Sequence, residues 1–253
     1  MTYNLTANEA QPAHWLHLNG TPDQILDRYC VSELLRGWPV YRDASEWKNY
    51  RACFADDAYV FSTWSGGLPI DDFIQSSQQS RANGDFVMHR ENGILVDLNP
   101  STNRAVGKMK ATISQRFTDP ATKVEYDIDC DARFIMWCVK KSLPRKAGNP
   151  VPGTGLGPRA ISGGWKVQYV KLFYEKDKVV PVDGKNVPEF SREELEKFPY
   201  GYRYLAAAQA RAGKEVSADM PTLEDGERFW EMYRAMEEWL NGEDVPKRLG
   251  ISR

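Results

Sequence analysis

Two kinds of periodicity divide the chain. Between residues 21 and 54 apolar side chains recur every three or four positions, and beyond residue 58 they give way to β-branched and aromatic runs. Thr21-Pro22-Asp23-Gln24 is a helix start, with Thr21 as N-cap, Pro22 at the first helical position and Gln24 as the reciprocal partner of a capping box. Ile25, Leu26, Tyr29, Cys30, Leu34, Trp38 and Tyr41 then follow on one stripe, which Gly37 and Pro39 should kink or break near its end. Residues 44–54 predict a second helix, through Trp47, Tyr50, Arg51 and Phe54. A strand over 58–65, a turn at Ser65-Gly66-Gly67 and a short helix over 69–80 come next. Long strand signals cover 94–98, 104–118, 124–141 and 164–178, joined by Asn99-Pro100, Asp119-Pro120 and a Pro/Gly-rich stretch at 142–164. This is a meander of antiparallel strands behind a helical layer: an α+β fold with its helices on one face of a bent sheet and a cavity between the layers. After residue 180 a linker leads to helices over 191–197, 202–213 and 223–240, the last capped by Thr222. Its stripe of Phe229, Trp230, Tyr233, Met236, Trp239 and Leu240 must cover the barrel or a second subunit. The expected organisation is an arm over 1–20, one domain over 21–180 and a helical extension over 181–253.

Composition narrows the function classes. With 33 Lys+Arg against 35 Asp+Glu in 253 residues, the net charge of −2 provides no global field for nucleic acid or an anionic membrane. Eight Trp, 12 Tyr and 10 Phe exceed what a core strictly requires and suit a chain that also lines an apolar cavity. Cys30, Cys53, Cys130 and Cys138 form no CxxC, and His14, His17 and His89 form no HExxH, so packed reduced thiols and no metal are expected. There is no leader-like start and no run of eighteen apolar residues, which makes a cytoplasmic protein the expectation. The glycines at 153, 155 and 157 lack the Lys-Ser/Thr of a phosphate loop and predict a hairpin loop.

His89 is the one histidine inside the folded pattern, at the entry to the meander, and its side chain is the type that titrates near neutrality. Asp43 sits where the first two helices meet, at the end of an aromatic stripe. An Asp43–His89 contact would fix the imidazole tautomer and produce a general base or acid. Asp43 also has the spacing to Glu46 of a capping box for the second helix. Between 124 and 139 strand alternation separates Tyr126, Ile128, Cys130, Ala132 and Phe134 from Asp127, Asp129, Asp131 and Arg133, an acidic face that favours solvent over a metal. Tyr50, Trp64, Ser114 and Tyr169 are candidate wall residues.

The run Val31-Ser-Glu-Leu-Leu-Arg-Gly-Trp-Pro-Val-Tyr-Arg-Asp43-Ala-Ser-Glu-Trp47, with Phe54-Ala-Asp-Asp-Ala-Tyr-Val, the His89 step and Gly164-Trp165-Lys166-Val167, resembles SnoaL-like proteins of the nuclear transport factor superfamily. Scytalone dehydratase is among its enzymes. The resemblance, over about residues 21–178, implies a cone-shaped α+β barrel, with N-terminal helices over the concave face of a strongly curved antiparallel sheet. It also implies that Asp43 and His89 match an aspartate and one of two histidines of the dehydratase pocket. Arg42 stands where that pocket has a tyrosine, one residue from Tyr41; Ser62 stands at a second tyrosine position and Ser114 at the second histidine. The function so implied is a cofactor-independent lyase or isomerase on a small aromatic or polyketide-like carbonyl compound, as in secondary metabolism. His89, Asp43 and Tyr41 would be its catalytic residues, with Tyr50, Ser62, Trp64, Ser114 and Tyr169 at the substrate. Expected partners are a small-molecule substrate and a second copy of the chain in a dimer or higher homo-oligomer, with no nucleic acid, membrane, metal or cofactor. The alternatives are a non-catalytic ligand-binding or dimerisation module, and an epoxide-hydrolase-like enzyme using Arg42, Arg116 or Arg133 beside an Asp-activated water.

Overall fold

The structure, a computed structural model, describes residues 18–141 and 164–251; His14, His17 and the 153–157 glycines lie outside the described residues. The capping box forms as read: the Thr21 side chain accepts from the Gln24 backbone, and Gln24 Oε1 accepts from the Thr21 N–H at 2.8 Å. Helix α1 (Pro22–Gly37) follows, but the side it buries is not the expected stripe. Ile25, Leu26, Tyr29 and Cys30 are exposed, whereas Val31 and Leu35 are buried, followed by Trp38. The reason is where the helix meets the sheet. Leu35 lies against Gly107, so close that a Cβ there would stand 2.5 Å from Leu35 Cδ2, and only the second half of α1 makes this approach.

Pro39 has no N–H to continue the α ladder. The chain widens into a π-helical turn, Trp38–Arg42, rather than breaking. Helix α2 (Trp47–Ala52) is shorter than expected, and its N-cap, Glu46, makes no side-chain cap. Asp43 therefore does not cap it.

A six-stranded sheet carries the molecule: β1 (Phe54–Ser62), β2 (Gly66–Pro69), β3 (Phe86–Asn99), β4 (Arg104–Thr118), β5 (Glu125–Lys141) and β6 (Gly164–Pro181), in the order β2-β1-β6-β5-β4-β3. Helix α3 (Ile70–Ala82) lies between β2 and β3. Neighbours are antiparallel with one exception. β1 runs parallel to β6, with Val60 opposite Val170, so the expected antiparallel sheet is mixed. β3 starts eight residues earlier than its apolar run because an irregularity between Glu91 and Ile94, with Gly93 at φ +124°, separates a polar first half from the apolar second.

The C-terminal helices clasp this sheet from two sides. Helix α4 (Arg192–Leu195) and a 3-10 turn (Tyr200–Tyr202) lead into α5 (Arg203–Arg211), whose first turn is held by the Asp177 carboxylate accepting from Leu205 N–H at 2.8 Å. Helix α6 (Gly226–Leu240) is capped by Asp225 rather than Thr222, which instead bridges to Tyr174. It covers the outer face: Trp137 Nε1 donates to Ala235 O, Trp239 Nε1 to Ala105 O and Cys138 O, and Phe173 meets Phe229 at 4.7 Å. A short α7 (Pro246–Leu249) ends the described chain. The rest of the outer face carries Arg116–Asp127, Arg90–Asp129 and Lys176–Asp131 ion pairs, the acidic row met by cations. Among the described residues no group of three or more His, Cys, Asp or Glu is placed to hold a metal, and no helix is long and apolar enough to cross a membrane. All four cysteines are free; Cys30 is exposed, not packed.

Candidate active site

The π turn decides where the chemistry lies. It delivers Arg42 and Asp43 inward at its end, opposite the start of β3, where the sheet's inner face offers Val87 and His89. Asp43 Oδ1 lies 2.8 Å from His89 Nδ1, and Oδ2 accepts from the His89 backbone N–H at 2.5 Å. One carboxylate thus grips a single residue by ring and backbone together. Arg81 Nη2 donates to the Asp43 carbonyl at 2.6 Å and ties the turn to α3. Burial lowers the His89 pKa below its ordinary 6.5; Asp43 opposes that shift, while the Arg42 and Arg81 charges add to it. The imidazole is therefore neutral at neutral pH. With Nδ1–H donating to Asp43, Nε2 keeps its lone pair, which is the form a general base needs.

His89 borders a cavity of about 30 Å³, room for about one water molecule. Its floor is the inner face of the sheet: Ile113 and Gln115, paired in register with His89 and Val87, then Phe134, Leu172 and Tyr174. Trp38 and Phe73 close the roof; Trp38 stands edge-on to His89 at 6.1 Å and Phe134 at 5.7 Å. The end wall comes from α5. Leu205 and Gln209 reach the cavity, and Gln209 links Thr63 Oγ1 to Gln115 Oε1 by two 3.0 Å hydrogen bonds. A second chamber of similar size opens beside the first, sharing Arg42, Trp64, Val87 and Gln115 and bordered outward by Ser77, Arg81, Asp85 and Lys214.

The candidate residues separate cleanly by position. Asp43 and His89 come together, and Ser62 and Trp64 line the His89 chamber, Ser62 paired with Ser65 at 2.6 Å and Trp64 stacked on Phe73 at 5.4 Å. Ser114 does not reach it: strand alternation turns Ser114 outward, where it donates to Asp129, and presents its neighbours Ile113 and Gln115 inward. Tyr169 likewise faces outward, edge-on to Trp239 at 5.7 Å. Tyr41 borders neither chamber and packs near Gly37. Tyr50 is fully buried between Trp38 and Phe54, and its hydroxyl has no hydrogen-bond partner among the described residues. Arg116 and Arg133 are engaged on the outer face by Asp127 and Glu175. Reading the partner of Val87, two residues before His89 on the same face of β3, across the β3–β4 ladder would have found Gln115. Nothing in the pattern of residues 203–211 pointed Gln209 at the site.

A family model described as the SnoaL-like domain matches residues 23–171. Pea pathogenicity protein 2 of Fusarium vanettenii is 36% identical over 243 residues, covering 93% of this chain and 95% of that protein. An uncharacterized protein of Emericella nidulans is also 36% identical, over 93% of this chain and 94% of its own length. Among solved structures, a hexachlorocyclohexane dehydrochlorinase from Novosphingobium barchaimii superposes with a TM-score of 0.47 and 11% identity, over 66% of this chain and 98% of that one.

Proposed function

Because this chain belongs to the SnoaL-like domain family, we propose that it is a cofactor-independent lyase or isomerase that moves a proton on a small carbonyl compound, aromatic or polyketide-like, in the His89 chamber. The observation that carries this reading is a buried neutral imidazole, oriented through both oxygens of Asp43, at an aromatic-walled cavity. His89 Nε2 takes a proton from the carbon next to the carbonyl, and the C–H electron pair moves onto the carbonyl oxygen. The resulting imidazolium is stabilised by Asp43. Return of that proton to another carbon completes an isomerisation. Delivery to a leaving group on the β carbon, which departs with its bonding pair, completes an elimination. Gln115, whose Oε1 accepts from Gln209 and whose Nε2 has no partner among the described residues, is the donor for the enolate oxygen. Tyr41 and Tyr50 lie off the chamber and take no part in this scheme. An epoxide-hydrolase-like reaction is disfavoured because both Asp43 oxygens are engaged by His89, leaving no free carboxylate edge to activate water.

Trp38 and Trp64, which crowd the chamber, favour a second reading, a module that binds a ligand without turning it over. Deuterium exchange separates the two. Aryl ketones and 1,3-dicarbonyls in D2O, followed by proton NMR, should lose their α-protons faster with the protein than without it, and His89→Gln should slow that exchange by about 10²-fold or more. Absence of catalysed exchange across the panel leaves the binding module standing.

A further inference from the structure

Arg42 is an unusual presence in this core. Its side chain is 92% buried, its pKa is lowered by that burial, and among the described residues it makes no hydrogen bond; Nε is an orphaned donor. Its nearest carboxylate oxygen, Asp43 Oδ1, stands 3.7 Å from Nη1 and is already bound to His89. Two aromatic rings, Trp38 and Phe73, face the guanidinium at 5.8 and 5.7 Å, which softens the desolvation but supplies no acceptor. A second buried donor in the same chamber, Ser77 Oγ, is also without a partner among the described residues. Buried polar groups are nearly always satisfied, so two orphaned donors bordering one chamber mark the place of an acceptor that the described residues do not supply.

The chemistry of the gap identifies that acceptor. Around the outer chamber stand three cations, Arg42, Arg81 and Lys214, against the carboxylates of Asp43 and Asp85, so the region favours an incoming negative charge. The unused Nε edge of a guanidinium offers two parallel N–H donors, the spacing of a planar two-oxygen anion rather than of a single carbonyl oxygen. We propose that the outer chamber is a carboxylate subsite: the substrate is a carboxylic acid whose carboxylate is received by Arg42 and Ser77 while its reacting carbonyl end enters the His89 chamber. This assignment rests on reading the two chambers as one substrate site. Arg42, standing in the wall they share, sets which end of the substrate meets the base.

Binding tests it without needing turnover. The intact protein is titrated with benzoate and with its neutral isostere benzamide, following tryptophan fluorescence, to which Trp47 and Trp64 at the chamber contribute, and the heat of binding. Benzoate should bind saturably and about tenfold or more tighter than benzamide. Arg42→Met should abolish that preference, and Ser77→Ala should weaken benzoate by a smaller factor. Should Arg42→Met fail to fold by circular dichroism, Arg42→Lys, which keeps the charge and loses the fork, should still weaken benzoate. His89→Gln should keep the preference for benzoate over benzamide, and absence of catalysed exchange by the unaltered chain with that preference intact would count against the base and not against the subsite. Equal affinity for the two probes, no saturable benzoate binding, or undiminished benzoate binding by a folded Arg42→Met chain overturns the proposal.

Discussion

The behaviour of His89 with pH follows from its burial. Protonation of the free side chain begins near pH 6.5, but the folded imidazole resists it because desolvation and two neighbouring guanidinium groups outweigh Asp43. The base form therefore persists to lower pH than usual, and the acid limb of kcat/KM should fall below 6.5 rather than at it. Stability carries the same signature. As pH drops from about 6.5 toward the depressed folded value, the unfolded chain binds a proton that the folded chain declines, so unfolding becomes easier in that window and stability recovers as pH rises through it. Urea midpoints across pH 5–8 should show this slope, and His89→Gln should flatten it. Asp43→Asn should lower exchange activity by about 10²-fold, since an amide can hold the ring but cannot stabilise an imidazolium. Tyr50 gives the opposite kind of test. Its buried hydroxyl has no partner among the described residues and its pKa is pushed well above 10.0 by burial, so Tyr50→Phe should leave exchange intact and be neutral or stabilising by up to about 1 kcal/mol in thermal unfolding.

At the scale of elements, what the sequence could disclose was set by how local each determinant is. The Thr21–Gln24 cap and the bounds of β4 were legible because capping and alternation are properties of neighbouring residues. The buried side of α1 was not, because Leu35 rather than Leu34 is selected by a glycine seventy-two residues away. Ser114 and Gln115 show the same limit inside a strand: period two says they face opposite ways, and only the position of His89 across the ladder says which faces in. Asp43 and His89 were legible as chemistry, being the ionisable groups at two element junctions, whereas Gln209 entered from an extension that gave no sign of reaching the site. The α1–β4 contact should be correspondingly brittle. Gly107→Ala should cost about 1–3 kcal/mol in denaturant unfolding, and Leu35→Ala in the same chain should recover part of it, the signature of two side chains competing for one space. Access to the chambers belongs to this scale too. Lys214 binds Asp85 at 2.6 Å, Ser80 Oγ at 3.1 Å and faces Trp64 at 5.6 Å, fastening the segment after α5 to α3. Lys214→Ala should speed amide exchange across 203–211 and quicken benzoate entry while changing global stability by less than about 1 kcal/mol, because the ion pair it removes is partly solvated.

For the whole molecule, the decisive fact is that the helical extension supplies surface to both faces of the sheet. α5 closes the inner cavity, and α6 lies over Trp137, Tyr169 and Phe173 on the outer face, apolar ground that would otherwise be exposed to water. Elsewhere the outer face carries the partly solvated Arg90–Asp129, Arg116–Asp127 and Lys176–Asp131 ion pairs. Trp239 is the rivet of this arrangement: its ring lies under Arg104 at 4.0 Å and edge-on to Tyr169, and its indole N–H is shared by two strand carbonyls. If the sheet and the extension form one cooperative unit, Trp239→Ala should cost about 3–5 kcal/mol and shift the entire transition together, with tryptophan fluorescence and far-ultraviolet circular dichroism still coincident. Two separated transitions would show instead that α6 peels away while the barrel survives. In that case the bared aromatic face should drive association in sedimentation at concentrations where the unaltered chain shows no such increase, because an apolar patch of that extent does not stay exposed to water.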